Sequence, residues 1–134
     1  MTGKNEVVGG GGFHHVALKV SDFDRSVKFY AEVLGFVEQR RWGQDQRRGI
    51  LLDTGDGSCL EILSGGTGGG GGALAHFALR SNNVDAAIAA VRSAGMKITL
   101  EPENRTLPSN PPYPVRLAFC QGPDGEMIEF MQVL

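Results

Sequence analysis

Two histidines and two glutamates stand at matching places in the two halves of this 134-residue chain. His15 opens the run His-Val-Ala-Leu-Lys, and His76, 61 residues further on, opens the similar run His-Phe-Ala-Leu-Arg. Glu61 and Glu129 stand 68 residues apart, each in an apolar run that follows an Asp-Gly pair. The chain has only three histidines, so two of them at one repeat position indicate a shared role.

Strand alternation predicts that these four side chains lie on the faces turned away from the helices. Successive side chains of a strand point to opposite faces, and the apolar neighbours of each His and Glu are expected to pack under a helix. The four converge in a cleft if two curved sheets face one another. Their imidazole and carboxylate donors suit one divalent ion of Ni, Co, Zn, Mn or Fe, held as an open Lewis-acid site. His14 is expected on the helix side or edge of its strand, outside this site.

The repeat predicts the order βαβββ twice, in modules covering residues 13–63 and 73–134. In both halves a strand leads into a helix that ends at a glycine, and three strands follow. Ser21 is expected to cap the first helix. The seven extra residues of the second half are assigned to a long loop, Glu103 to Pro114, which is either a lid over the cleft or a spacer.

Composition narrows the class of protein. Eleven of the 20 glycines stand in two short segments, which predicts a flexible tail over 1–12 and a linker over 64–72. The formal charge of −2 makes neither nucleic acid nor an anionic membrane an expected partner. No apolar run is long enough to span a bilayer, and two cysteines are too few for a disulfide framework, so we expect a cytoplasmic protein.

These motifs resemble the vicinal oxygen chelate superfamily, which includes glyoxalases, bleomycin-resistance proteins and dioxygenases. The resemblance covers 13–134 and is carried by four stretches: His15 to Val20 with Asp22, Phe29-Tyr30, Leu34-Gly35-Phe36, and Gly122 to Gly125 leading into Ile128-Glu129-Phe130. It implies an α+β fold in which two βαβββ modules form curved mixed sheets in a partly closed barrel. It also implies that His15, Glu61, His76 and Glu129 are the four metal ligands.

The second ligand position separates the activities found in that superfamily. Glu61 resembles the glutamate of glyoxalase I, whereas methylmalonyl-CoA epimerases usually have glutamine there. The resemblance therefore implies a lactoylglutathione lyase-like lyase or isomerase that acts on a small carbonyl or hemithioacetal through an enediolate, with Glu129 or Glu61 as the base. The alternatives are an acyl-CoA epimerase, a non-catalytic binding or resistance protein, and an extradiol-type dioxygenase.

Three cations are candidates for binding an anionic group of the substrate. The family commonly has arginine four residues after the first ligand, where this chain has Lys19. Arg80 is its repeat partner, and Arg116 is also expected on the face of the cleft. Small proteins of this family commonly form homodimers, and the sequence is compatible with a cleft built within one chain or across two.

Overall fold

The computed structural model describes residues 5–7, 9, 12–69 and 74–134, and these contain the predicted βαβββ order twice. The remaining residues of the predicted tail and residues 70–72 of the predicted linker lie outside the described residues. A π-helical turn, Phe29–Val33, continues the first helix, and a 3₁₀ turn, Asp45–Arg47, precedes the third strand. The elements are β1 (His15–Lys19), α1 (Phe23–Lys28), β2 (Val37–Trp42), β3 (Gly49–Asp53), β4 (Cys59–Leu63), β5 (Phe77–Arg80), α2 (Val84–Ser93), β6 (Ile98–Leu107), β7 (Tyr113–Gln121) and β8 (Met127–Val133).

Each module forms its own four-stranded mixed sheet. The strand orders are β1-β4-β3-β2 and β5-β8-β7-β6. In each sheet the first strand pairs parallel with the last, and the other pairs are antiparallel. The prediction of an α+β fold with paired βαβββ modules is confirmed, but the two sheets do not close into one barrel.

A single apolar core joins the helix faces of both sheets. Ile50, Leu52 and Ile62 of the first sheet and Ile128 of the second are fully buried in it. Tyr30, also fully buried, stacks on Phe36 of its own module, with ring centroids 5.7 Å apart. Because the core occupies the helix faces, the opposite faces are left for the candidate site.

Two local predictions need correction. Asp22, not Ser21, caps α1: its carboxylate accepts from the Arg25 N–H at 3.1 Å, as a short acidic side chain at the N-cap commonly does. Ser21 instead donates its N–H to Asp124 of the second module at 2.9 Å.

The segment expected to be a long loop is mostly strand. β6 extends to Leu107 and β7 begins at Tyr113, with Leu107 and Tyr113 paired. The extra residues of the second half therefore lengthen a β-hairpin, and only 108–112 connect its strands. Residues 103–114 therefore do not form the long loop that could act as a lid.

Candidate metal and substrate site

In the first module, a histidine and a glutamate meet across two parallel strands. The β1/β4 register sets Ala17 beside Glu61, two residues along from His15 on the same face. His15 Nε2 lies 3.9 Å from Glu61 Oε1. The side chains are 41% and 19% exposed, so the pair is open to solvent and to a ligand. We call His15 and Glu61 the first pair.

His14 lies against the first pair, which the alternation argument missed. The chain bends at His14, immediately before β1 begins. The two neighbouring rings meet edge to face with centroids 5.2 Å apart, and His14 Nδ1 lies 2.9 Å from His15 Nδ1. A contact between these two atoms is a hydrogen bond when one of them carries a proton.

The second module has the same strand register, but different residues surround its histidine and glutamate. Ala78 of β5 is beside Glu129 of β8, as Ala17 is beside Glu61. His76 stands just before β5, and its ring contacts Phe119 edge to face at 5.3 Å. Glu129 is 6% exposed. Within the described ranges, neither the His76 ring nor the Glu129 carboxylate forms a hydrogen bond or ion pair with another residue. We call them the second pair.

The donor chemistry of the two pairs fits a divalent metal ion. Imidazole and carboxylate are suitable ligands for the first-row metals that the sequence indicates. Glu129, a residue only 6% exposed, has no ion-pair partner among the described residues, and a bound cation would supply one. No group of three or more His, Cys, Asp or Glu side chains in the described part of the chain is arranged to hold an ion. Each module of one chain thus provides two candidate ligands.

Lys19 and Arg80 occupy equivalent positions on the two candidate faces. Each lies four residues after the histidine of its module, and both are exposed. Neither forms an ion pair with a residue that the structure describes. A cleft of about 680 Å³ between the modules is lined in part by Lys19 and His76. Both cations are therefore available to an anionic ligand.

Arg116 lies on the opposite face, which corrects its predicted place beside the cleft. Its guanidinium donates two hydrogen bonds to Asp85 of α2, at 2.8 and 2.7 Å, and a third to Asn104 at 3.0 Å. The bond from Arg116 lowers the pKa of the Asp85 carboxyl, and the same bond raises the pKa of Arg116. Arg116 is part of the contact between α2 and its sheet.

Sequence reasoning also missed a buried polar link between the modules. Glu126, 6% exposed, accepts from the Tyr30 hydroxyl at 3.1 Å and from the Asp124 N–H at 2.8 Å. Burial, and secondarily the Glu126 charge, raises the pKa of Tyr30 well above its ordinary value. The repeat offset of 68 matches Glu126 with Ser58, so this break in the repeat was the available signal.

Comparison with known proteins finds a matching family model and a similar protein of known name. A family model described as the Glyoxalase/Bleomycin resistance protein/Dioxygenase superfamily matches residues 12–130. The lactoylglutathione lyase of Haemophilus influenzae is 33% identical over 131 residues, covering 88% of this chain and 90% of that protein.

Two solved structures share the fold at similar identity. The trypanothione-dependent glyoxalase I of Leishmania major is 27% identical with a TM-score of 0.71, covering 91% of this chain and 86% of that one. Glyoxalase I from Zea mays is 27% identical with a TM-score of 0.70, covering 91% of this chain but 47% of that one. No described helix is both long and apolar enough to cross a membrane.

Proposed function

This chain belongs to the glyoxalase/bleomycin resistance protein/dioxygenase superfamily, and we propose that it is a metal-dependent lyase or isomerase of the lactoylglutathione lyase kind. The observation that carries the proposal is one register repeated in both sheets: the alanine two residues after each histidine lies beside a glutamate. The relative from Haemophilus influenzae that bears the name lactoylglutathione lyase supports the same activity.

We propose that the two pairs together hold one divalent ion of Ni, Co, Zn, Mn or Fe. His15 and Glu61 supply two ligands and His76 and Glu129 the other two. The pairs belong to separate sheets, and no three candidate ligands cluster within the described part of one chain. The proposed site therefore joins the first pair of one chain to the second pair of another, in a homodimer.

An ion held by these four residues would polarise the substrate's carbonyl as a Lewis acid and so make the neighbouring C–H bond more acidic. Glu129 is the residue proposed to move that proton, from the hemithioacetal carbon to the former carbonyl carbon, while the hydroxyl proton passes to the former carbonyl oxygen and the product is a hydroxy thioester. Glu129 is 6% exposed as a residue, and its carboxylate has no hydrogen-bond partner among the described residues that would compete for its lone pairs. Phe119, its cross-strand neighbour, helps to keep water from the reacting carbon.

Glu61 is proposed as a holding ligand. It is more exposed than Glu129 and already lies beside His15, which favours a fixed role. Lys19 and Arg80 are proposed to bind an anionic group of the substrate, such as a carboxylate of a thiol adduct. Lysine supplies charge without the two-pronged geometry of arginine, so the two cations are expected to differ in what they bind.

The test begins with metal analysis of the full chain purified without chelator, before and after addition of Ni²⁺ or Co²⁺. We expect the chain to bind the metal, and we expect both Glu61→Gln and Glu129→Gln to weaken that binding. We also expect the metal-loaded chain to isomerise the methylglyoxal–glutathione hemithioacetal. Turnover no faster than the uncatalysed reaction at full metal occupancy would reject that substrate. A chain that binds less than about 0.2 ion in every condition would favour a non-catalytic binding protein.

A further inference from the structure

The contact between His14 and His15 carries a role that the repeat does not contain. We propose that His14 is a positioning residue: its Nδ1 accepts the Nδ1 proton of His15 and leaves His15 Nε2 free to bind the ion. The inference rests on the proposed function, because it assigns His15 as a metal ligand. It adds a neighbouring residue that fixes the ligand's tautomer.

The chemistry of a neutral imidazole links the two nitrogens of His15. One nitrogen carries the proton and the other has a free lone pair, and a hydrogen bond at one nitrogen selects the state of both. His15 Nε2 is the atom that faces Glu61, at 3.9 Å, while His15 Nδ1 faces His14 Nδ1 at 2.9 Å. An ion beside Glu61 therefore requires the proton on Nδ1, where His14 accepts it.

The backbone holds His14 in place for this role. The chain bends at His14, and the His14 carbonyl accepts from the Cys59 N–H at 2.8 Å, which ties the residue to the first residue of β4. The edge-to-face contact further restricts both rings. Metal-ligating histidines generally donate their second N–H to an acceptor, and loss of that acceptor typically lowers metal affinity about 10–100-fold.

The second module lacks this arrangement. The repeat offset of 61 matches His14 with Ala75, which has no acceptor side chain. His76 contacts an aromatic ring, and its own ring forms no hydrogen bond with another described residue. The tautomer of His76 is therefore not selected by a described neighbour, and His76 provides an internal reference for the measurement.

The experiment uses the full chain with ¹⁵N-labelled histidine, loaded with diamagnetic Zn²⁺ at alkaline pH. Long-range ¹H–¹⁵N spectra report which nitrogen of each ring is protonated, and three histidines give a spectrum simple enough to assign. We expect the proton on His15 Nδ1 and an unprotonated Nδ1 on His14. Calorimetry with Ni²⁺ is then expected to give about tenfold or greater loss of affinity in His14→Phe, which keeps a ring but has no acceptor.

Two further variants make the affinity result specific. His14→Asn places Oδ1 where Nδ1 was and is expected to restore most of the affinity. Phe13→Ala changes an exposed neighbour, 86% accessible, and is expected to bind like the original chain. Circular dichroism establishes that each variant is folded, and the spectrum of the unmodified chain decides the tautomer without any variant.

A proton on His14 Nδ1 in the zinc-loaded chain overturns the proposal. So does Ni²⁺ affinity in His14→Phe within about twofold of the original chain. Failure of the proposed function is a different result in the same titration: the original chain then binds neither Zn²⁺ nor Ni²⁺.

Discussion

The two modules share a topology and a strand register but surround their candidate ligands differently. In the first, His15 lies between two polar groups, the His14 ring and the Glu61 carboxylate, in an open setting. In the second, His76 lies against the Phe119 ring and Glu129 is buried. The repeat thus accounts for the backbone and for the types of candidate ligand, whereas its departures favour different roles for the two glutamates. We propose that both pairs bind the ion and that Glu129 of the second pair also moves the proton.

Neutralising each glutamate in turn tests whether the two glutamates have different roles, and it has the largest expected effect. Glu129→Gln removes the proposed base and is expected to lower kcat by a factor of about 10²–10⁴. Glu61→Gln removes a holding ligand, so its main expected effect is weaker metal binding, with kcat largely recovered at saturating Ni²⁺. Steady-state kinetics across a Ni²⁺ titration measures both. Equal kcat losses at saturation would mean that the two glutamates do not differ in role.

The link between the modules predicts the next largest effect. Tyr30→Phe leaves the buried Glu126 carboxylate without its hydroxyl donor, and we expect it to lower the free energy of unfolding by about 1–3 kcal/mol. Urea denaturation measures this loss. The matched variant Glu126→Gln keeps a hydrogen bond to Tyr30, because its amide oxygen accepts from the Asp124 N–H while its NH2 donates to the Tyr30 hydroxyl, so it is expected to cost less. A Tyr30→Phe variant as stable as the original chain would show that the link contributes nothing.

The cysteines test whether the modules also differ at alkaline pH. Burial raises the pKa of Cys120 from its ordinary value of 9.0 to about 12. The thiol therefore ionises at lower pH in the unfolded chain than in the folded one. The contribution of Cys120 to the free energy of unfolding is present below pH 9.0 and is lost as the pH rises toward 12, at about 1.4 kcal/mol per pH unit.

Urea denaturation at several pH values above 9 is expected to show a shallower decline for Cys120→Ala than for the original chain. Cys59→Ala is the matched variant in the first module. Burial also raises the pKa of Cys59, but less than that of Cys120, so Cys59→Ala is expected to change the pH dependence less. An identical pH dependence for Cys120→Ala and the original chain would contradict the expected role of burial.

The smallest expected effect concerns the cations. Lys19→Met is expected to raise KM for an anionic substrate several-fold, since exposed charge pairs contribute at most about 1 kcal/mol. Arg116→Gln is expected to leave KM unchanged, because that side chain is bound to Asp85 on the helix face. Steady-state kinetics at several salt concentrations measures KM for both variants. A larger KM effect from Arg116 than from Lys19 would reverse the assignment of faces.

The limits of the sequence reading have physical reasons. Alternation predicts that the His and Glu pairs lie on one face of each sheet, because the sequence of their strands has one apolar side. It failed for Arg116 because β7 is apolar on both sides: Val115, Leu117, Ala118 and Cys120 are all buried, so the pattern does not indicate which face meets the helix. The bend at His14 lies outside any strand, where alternation does not apply.

The extra residues of the second half misled the reading of the long hairpin. They were assigned to a loop, yet β6 and β7 include most of 103–114, and Pro102 and Pro114 lie within these strands. Pro102 falls on β6, the edge strand, at a shift in the β6/β7 register, where a missing N–H is tolerated. Glu126 was missed for another reason: its partner Tyr30 is 96 residues away, and only the fold brings them together.

We propose that one ion is held by the first pair of one chain and the second pair of another, and complementation between two variants tests this arrangement. One variant has His15→Gln with Glu61→Gln, and the other has His76→Gln with Glu129→Gln. Co-expression with different affinity tags allows the mixed dimer to be isolated and its metal content measured. We predict one ion per mixed dimer and almost none in either variant alone, because one site of the mixed dimer is intact. A folded mixed dimer that binds no more metal than its parents would contradict the claim.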